Sequence, residues 1–284
     1  MYVEHDTPAT RAADARRGDD PDGARALEVI AANPQAMWLT GGTTDVRRTV
    51  ERRAIEAARA AALPVFVAYN LPGRDCGGHS RGGAGGLSAY RSWVDAIASG
   101  IGSRPAVVIV EPDGLAGLQC LPAAERRGRL AVISRVVRRL AANPATAVYI
   151  DAGHAGWVRP REMARRLRRA GVGRARGFAV NVANFRTTPE SIAHGRRISA
   201  ALGGVPFVID TSRNGAGPAT DGAWCNPPGR ALGSVPTVNT GDPRVDAFLW
   251  VKRPGESDGT CEGGPDPGTF WPEYAIGLAQ RSQD

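Results

Sequence analysis

The chain is predicted to be an α/β protein built as a barrel of parallel strands, and three observations carry that prediction. Seven short apolar runs recur along the chain, each is followed by a loop and an amphipathic helical pattern, and no linker or midpoint break divides them into two sheets. The runs are Ala36–Leu39, Pro64–Tyr69, Ala106–Val110, Ala147–Ile150, Gly177–Val182, Pro206–Ile209 and Ala247–Val251. Strands this apolar are buried on both faces, as in parallel sheets. A doubly wound sheet is the alternative, and the missing midpoint break disfavours it.

The intervening helices carry recognisable starts. Ser88 can cap a helix whose Tyr90, Trp93, Val94, Ile97 and Ile101 share a face. Arg126–Ala141 shows Leu130, Ile133, Val137 and Leu140 at helical spacing. Thr188-Pro189-Glu190 reads as a cap, a first-turn proline and an early acid. Residues 1–24 are polar and are expected to wrap the surface as an N-terminal arm, while Gly259–Gly268 reads as an irregular loop; the whole chain, 1–284, reads as one domain.

Composition narrows the function classes. The chain has 284 residues, 36 of them Gly and 21 Pro, with 42% hydrophobic and 23% charged residues, which suffices for a large core and excludes wholesale disorder. The longest apolar runs, such as Pro105–Val110, fall far short of the ~20 residues of a membrane helix, so no membrane partner is expected. The formal net charge is +8, yet Lys252 is the only lysine among 36 basic residues. The arginines fall on helical faces (Arg47, Arg48, Arg52, Arg53; Arg165, Arg166, Arg168, Arg169), the pattern of a solvated surface, and no nucleic-acid partner is expected.

Cys76, Cys120, Cys225 and Cys261 form no CxxC pair. Two disulfides in an oxidising compartment fit this dispersion, with three connectivities open, and four buried thiols are the alternative. Met1 is followed by polar sequence, so a secreted protein would have had its signal peptide removed.

In β/α folds the chemistry collects beyond the carboxyl ends of the strands. Those positions hold Asn70 to Cys76, Glu111-Pro112-Asp113, Asp151 to Trp157, Asn181 and Asn184, Asp210, and Lys252 to Asp258. One such carboxylate is ordinarily a turn residue; a carboxylate or amide after almost every strand is more than turn chemistry requires. Several acids, one lysine, dispersed tryptophans (Trp38, Trp157, Trp224, Trp250, each equally open to being core) and no metal-ligand spacing suit acid/base hydrolysis of a sugar, with no metal or cofactor expected. Asp113 follows a wholly apolar strand, where desolvation and a neighbour such as Asp75 would keep it protonated.

Two motifs fail on context. Gly78-His79-Ser80-Arg81-Gly82 matches a nucleophile elbow formally, but Ser80 lies ten residues beyond Asn70, and Asp151 precedes His154 by only three. Gly82-Gly83-Ala84-Gly85-Gly86 does not join a strand directly to a helix, so it is no dinucleotide loop.

Taken together, Tyr69-Asn70-Leu71-Pro72-Gly73-Arg74-Asp75-Cys76, Ile109-Val110-Glu111-Pro112-Asp113, Tyr149-Ile150-Asp151-Ala152-Gly153-His154, Asn181-Val182-Ala183-Asn184 and Trp250 to Gly259 resemble the motifs of glycoside hydrolase family 6, the β-1,4-glucanases, in their actinobacterial form. The resemblance runs from about Tyr2 to the C-terminus. It implies a distorted seven-stranded, TIM-like barrel and hydrolysis of β-1,4-glucan with inversion. Asp113 matches the general acid, Asp75 the aspartate that supports it and acts through water, and Asp258 the candidate base. Tyr69 matches the tyrosine beside the reacting sugar, Trp38, Trp157 and Trp224 the stacking positions, and His154, Asn184, Lys252 and Glu256 hydrogen-bonding ones. Arg74 and Asp151, within the matched motifs, are grouped with the substrate-binding residues. The cysteine pairs implied are Cys76–Cys120 and Cys225–Cys261.

Two departures bear on the mode of cleavage. Arg81 stands where many members carry a serine, with Ser80 adjacent, and Pro160 replaces a second tryptophan found in chain-end-acting members. The loops from Asp75 to Asp113 and from Cys225 to Cys261 are short for a tunnel. An open cleft and internal cleavage are therefore expected of a secreted, monomeric endoglucanase acting on β-1,4-glucan and cello-oligosaccharides. A processive cellobiohydrolase and a non-catalytic glucan-binding protein are the alternatives.

Overall fold

The computed structural model describes residues 1–282. Seven strands, β1 (Met37–Leu39), β2 (Val65–Ala68), β3 (Ala106–Val110), β4 (Thr146–Asp151), β5 (Gly177–Val180), β6 (Phe207–Asp210) and β7 (Val245–Leu249), form one all-parallel sheet in chain order. Among the described residues eight α-helices accompany them: α1 (Pro8–Arg16), α2 (Pro21–Ala31), α3 (Val46–Arg59), α4 (Leu87–Ile101), α5 (Ala123–Leu140), α6 (Pro160–Arg169), α7 (Thr188–Ala201) and α8 (Pro272–Gln280). Each predicted strand is present, shifted by no more than two residues at either end. None of the described helices is long and apolar enough to cross a membrane.

Five of the six connections cross over through an α-helix on the outer face of the sheet, and the sixth, from β6 to β7, is a long segment without a helix. Among the described residues β1 and β7 form no ladder with one another. The seam is instead bridged by the Ala36 amide donating to the Trp250 carbonyl (3.0 Å) and by Trp38 Nε1 donating to the Val251 carbonyl (2.8 Å). This open seam is the distortion that the resemblance implied.

Two-residue alternation along the strands separates two cores. Val65, Val67, Tyr69, Ile109, Tyr149, Ala179, Val208 and Leu249 fill the barrel interior. Phe66, Ala68, Val108, Val110, Ile150, Phe178 and Ile209 point outward against Tyr90, Ile97, Ile133, Val137 and Leu167 of the helices. Full burial of each large side chain contributes about 1.5–3 kcal/mol, which makes the barrel a rigid base for its rim.

Three local expectations need correction, and the open reading of Trp250 is settled. The α4 helix starts at Leu87 after Gly86 with no side-chain cap, so Ser88 falls inside the first turn. The cap of α7 is Thr187 rather than Thr188: its hydroxyl receives the Glu190 amide while the Glu190 carboxylate takes the Thr187 amide, a reciprocal capping box. Trp250 is 2% exposed and packs with Leu27, Ile30, Tyr274 and Leu278, so it is core and not a sugar platform. Residues 1–24 are more than a polar wrapping. They hold α1 and the start of α2, whose Ala9, Ala13 and Ala24 are buried, and both helices pack against α8.

Candidate active site

A cleft of about 990 Å³ opens over the carboxyl ends of the strands. Of the predicted site residues, Trp38, Tyr69, Arg74, Asp75, Asp113, His154, Trp157, Asn184, Trp224, Lys252, Glu256 and Asp258 all line it.

Asp113 reaches the cleft through a backbone reversal after β3, where Glu111 (φ 49°) and Asp113 (φ 67°) both take left-handed conformations. The reversal turns Glu111 inward. Its carboxylate accepts the Asn70 and Leu71 amides (3.1 and 3.0 Å) and the Tyr90 hydroxyl (2.7 Å), tying the loop after β2 to that after β3. Burial pushes Glu111 up to about 7. The Asp113 carboxyl faces the cleft and is also pushed up to about 7, by desolvation first and by the Asp75 charge second.

Around this acid, Asp75 (φ 58°) accepts the Ser80 amide at 2.6 Å. Arg74 places its guanidinium 4.5 Å from the Tyr69 ring centre and donates Nε to the Ser80 carbonyl (2.8 Å). Tyr69 meets Trp38 edge to face at 5.3 Å. Its phenol is shifted far upward by burial and by the Asp113 and Asp75 charges, so it stays neutral. Cys76 is bonded to Cys120, with Cα atoms 5.9 Å apart, which anchors the Asp75 turn to the segment after Asp113.

The opposite wall is built on Asp258. Burial alone would raise its pKa, but Arg213 and Lys252 outweigh burial and hold the carboxylate below its ordinary range. Arg213 grips both oxygens (2.8 and 2.9 Å), Lys252 Nζ lies 3.5 Å away, and the Asn226 amide donates at 3.1 Å. Glu256, nearby, is shifted upward by desolvation despite Lys252 and Arg253. The Cys225–Cys261 disulfide, Cα atoms 6.1 Å apart, clamps this loop. His79 lies near both sulfurs, but they are bonded to one another and offer no thiolate ligands. Asn184 accepts the Phe185 amide at 2.9 Å, and His154 stands 5.3 Å from Trp157, its pKa lowered by burial. Trp157 and Trp224 are 44% and 53% exposed, open platforms rather than core.

One predicted site residue lies elsewhere. Asp151, 1% exposed, sits beneath the cleft floor: its Oδ2 accepts the amides of Asp113 (2.9 Å) and Gly153 (3.1 Å), while its Oδ1 is buried without a hydrogen-bond partner. Burial, reinforced by Asp113, raises its pKa strongly. Asp210 plays a comparable part after β6, receiving the amides of Ala183, Ser212, Val251 and Lys252.

Arg213 was missed at the sequence level, since nothing in its spacing separates it from the other arginines. The one available signal was a charged residue directly after the strand-end run Asp210-Thr211-Ser212.

The family model described as "Glycosyl hydrolases family 6" matches residues 1–282. Endoglucanase A of Cellulomonas fimi is 44% identical over 287 residues, an alignment covering 100% of this chain and 61% of that protein. The chain thus spans about three fifths of that relative. Endoglucanase Cel6 of Mycobacterium tuberculosis, solved in complex with methyl-cellobiosyl-4-deoxy-4-thio-β-D-cellobioside, superposes with a TM-score of 0.95 at 47% identity, covering 100% of this chain and 97% of that one. The catalytic core of the cellobiohydrolase Cel6A from Chaetomium thermophilum gives a TM-score of 0.84 at 26% identity, covering 99% and 97%. Matched by that family model over residues 1–282, the chain belongs to glycosyl hydrolase family 6.

Proposed function

We propose that the chain is a catalytic domain that hydrolyses internal β-1,4-glucosidic bonds of cellulose and related β-glucans with inversion at the anomeric carbon. The observation that carries this reading is Asp113, a carboxyl held protonated to about pH 7 in a cleft walled by Trp38, Trp157 and Trp224. Expulsion of a sugar leaving group needs a proton on the glycosidic oxygen, and only an acid still protonated near working pH can deliver it. The relatives named as endoglucanases, and the neighbour solved with a cellobioside ligand, support a cello-oligosaccharide substrate.

In this reading Asp113 protonates the leaving oxygen while a water attacks from the opposite face of the ring. Inverting enzymes keep their carboxyl groups ~6.5–9.5 Å apart to admit that water. Asp258 has both oxygens engaged by Arg213 and a depressed pKa, which makes it a poor proton acceptor and a firm fixed anion. We therefore assign the water's proton to Asp75 through solvent, and to Asp258 the electrostatic stabilisation of positive charge developing on the sugar. Neutral Tyr69 and Arg74 form the wall beside the reacting ring, Trp157 and Trp224 stack flanking units, and His154, Asn184, Lys252 and Glu256 bind hydroxyls. The two disulfides support a secreted protein, and we take it to act as a monomer.

Chain-end cleavage is favoured by one observation: His79 reaches across to Trp224, with ring centres 6.2 Å apart, and packs against Gly259, partly bridging the cleft. Carboxymethyl cellulose viscosity separates the modes. Internal cleavage drops viscosity steeply per reducing end released, whereas chain-end cleavage barely changes it. The anomer formed first from a soluble cello-oligosaccharide, followed by proton NMR, tests inversion: α product supports the proposal, and β product refutes it.

A further inference from the structure

At the Trp157 end of the cleft lie arginines that enter no ion pair among the described residues. Arg186 is half-buried in the cleft wall, and its Nη2 lies so close to Gly156 that a Cβ there would come within 3.2 Å of it. The backbone at this position is pinned. The Arg186 amide donates to Asn181 Oδ1 (3.1 Å), and its carbonyl accepts Asn181 Nδ2 (3.1 Å) and Asn214 Nδ2 (3.0 Å). Its Nε is buried without a hydrogen-bond partner. Among the described residues no carboxylate comes within 4.0 Å of the guanidinium.

A second groove of about 370 Å³ adjoins the cleft and shares Gly156 and Trp157 with it. It is lined by Arg159, Glu190, His194 and Arg197. Arg159 and Arg197 are exposed and enter no ion pair among the described residues. Glu190 lines the same groove without an ion pair to either, its Oε2 held by the Thr187 amide and hydroxyl, both at 3.0 Å, so one negative charge stands against two guanidinium groups there. His194 is 6% exposed with Nε2 unpartnered, and burial together with His154 and Arg197 lowers it to about 4. The exposed Trp157 thus lies between two cavities, one lined by Arg186 and the other by Arg159 and Arg197.

A neutral glucose unit stacked on Trp157 has no charge to set against these cations. Guanidinium groups match carboxylates through paired, parallel N–H donors, and a preformed cation without a partner keeps that capacity for a ligand. We infer that the Trp157 end is a subsite for a glucan unit bearing a carboxylate, a C6-oxidised, glucuronate-type unit, with Arg186 as its direct partner and Arg159 and Arg197 supplying attraction from the groove. The inference rests on the cleft binding β-1,4-glucan.

The test uses the full chain carrying Asp113→Asn, so that binding is read without turnover. Calorimetry compares a cello-oligosaccharide with the same oligosaccharide carrying one C6 carboxylate at its terminal unit, at low and at moderate salt. Binding of the neutral ligand checks the underlying glucan reading by itself, and its absence would sink that reading. The inference predicts about tenfold tighter binding of the carboxylated ligand at low salt. Arg186→Gln should abolish most of that preference, and Arg159→Gln with Arg197→Gln should reduce it several-fold while leaving the neutral ligand's affinity unchanged. Arg48→Gln with Arg52→Gln, exposed on the remote α3 face, serves as the control for net charge. Equal affinity for the two ligands, or a preference lowered as much by the remote pair as by Arg186→Gln, overturns the inference.

Discussion

Arg213 and Asp258 form a two-pronged ion pair, 2.8 and 2.9 Å, in which the cation is 1% and the anion 8% exposed. Both charges are withdrawn from water, so each depends on the other. Breaking such a pair costs about 3–5 kcal/mol because the survivor is left uncompensated. Arg213→Met should therefore lower stability by somewhat less than that amount, since Lys252 stays 3.5 Å from Asp258, and pairing it with Asp258→Leu should recover part of the loss without restoring activity. Urea unfolding of the three variants reads the first effect, and glucan hydrolysis the second.

The Asp113 carboxyl is raised by burial and by Asp75, and hydrolysis needs it protonated. The alkaline limb of kcat/KM is expected near pH 7. Asp75→Asn removes a negative charge that favours the protonated form, so the residual activity should lose its alkaline limb at lower pH. The shift is partial, because desolvation is the larger cause. A limb that moved upward would contradict this arrangement.

The same group ties stability to pH. Its folded pKa of about 7 lies above the ordinary aspartate value, so the folded state holds the proton more tightly than the unfolded chain does. The resulting stabilisation is complete below about pH 4 and is lost as pH rises through 7. Asp113→Asn removes the ionisation and should be more stable than wild type at pH 8, with the difference shrinking toward pH 4. Thermal midpoints across that range check it.

The Cys225–Cys261 bond spans 36 residues and adjoins Asn226, whose amide donates to Asp258 and whose Oδ1 accepts the Asp258 amide at 2.7 Å. Cys225→Ser with Cys261→Ser should cost about 2–4 kcal/mol. Activity should fall further than the folded fraction accounts for, since the Asp258 wall loses its clamp. Parallel measurement of circular dichroism and hydrolysis separates the two effects.

The strands were legible because burial on both faces demands unbroken apolar runs, and the rim acids were legible because they follow those runs directly. What escaped depends on three-dimensional company. Arg213 acquires its role from Asp258, which lies 45 residues further along the chain. Asp151 resembles a rim residue in sequence, yet the reversal at Glu111 and Asp113 delivers an amide onto it and draws it beneath the floor. The Thr187 cap was misplaced by one residue because Thr187 and Thr188 are equally good caps locally, and only the reciprocal bond to Glu190 selects between them. Trp250 ends a strand as a platform residue would, but α2 and α8 cover it.

The most direct test of the account is the dependence of Asp113→Asn on the leaving group. An unactivated cello-oligosaccharide needs its leaving oxygen protonated, whereas a dinitrophenyl glycoside does not. The account predicts that kcat for the oligosaccharide falls by about 10²–10⁴ while the activated substrate loses far less. Equal losses on both substrates, or near wild-type activity on the oligosaccharide, would contradict Asp113 as the acid.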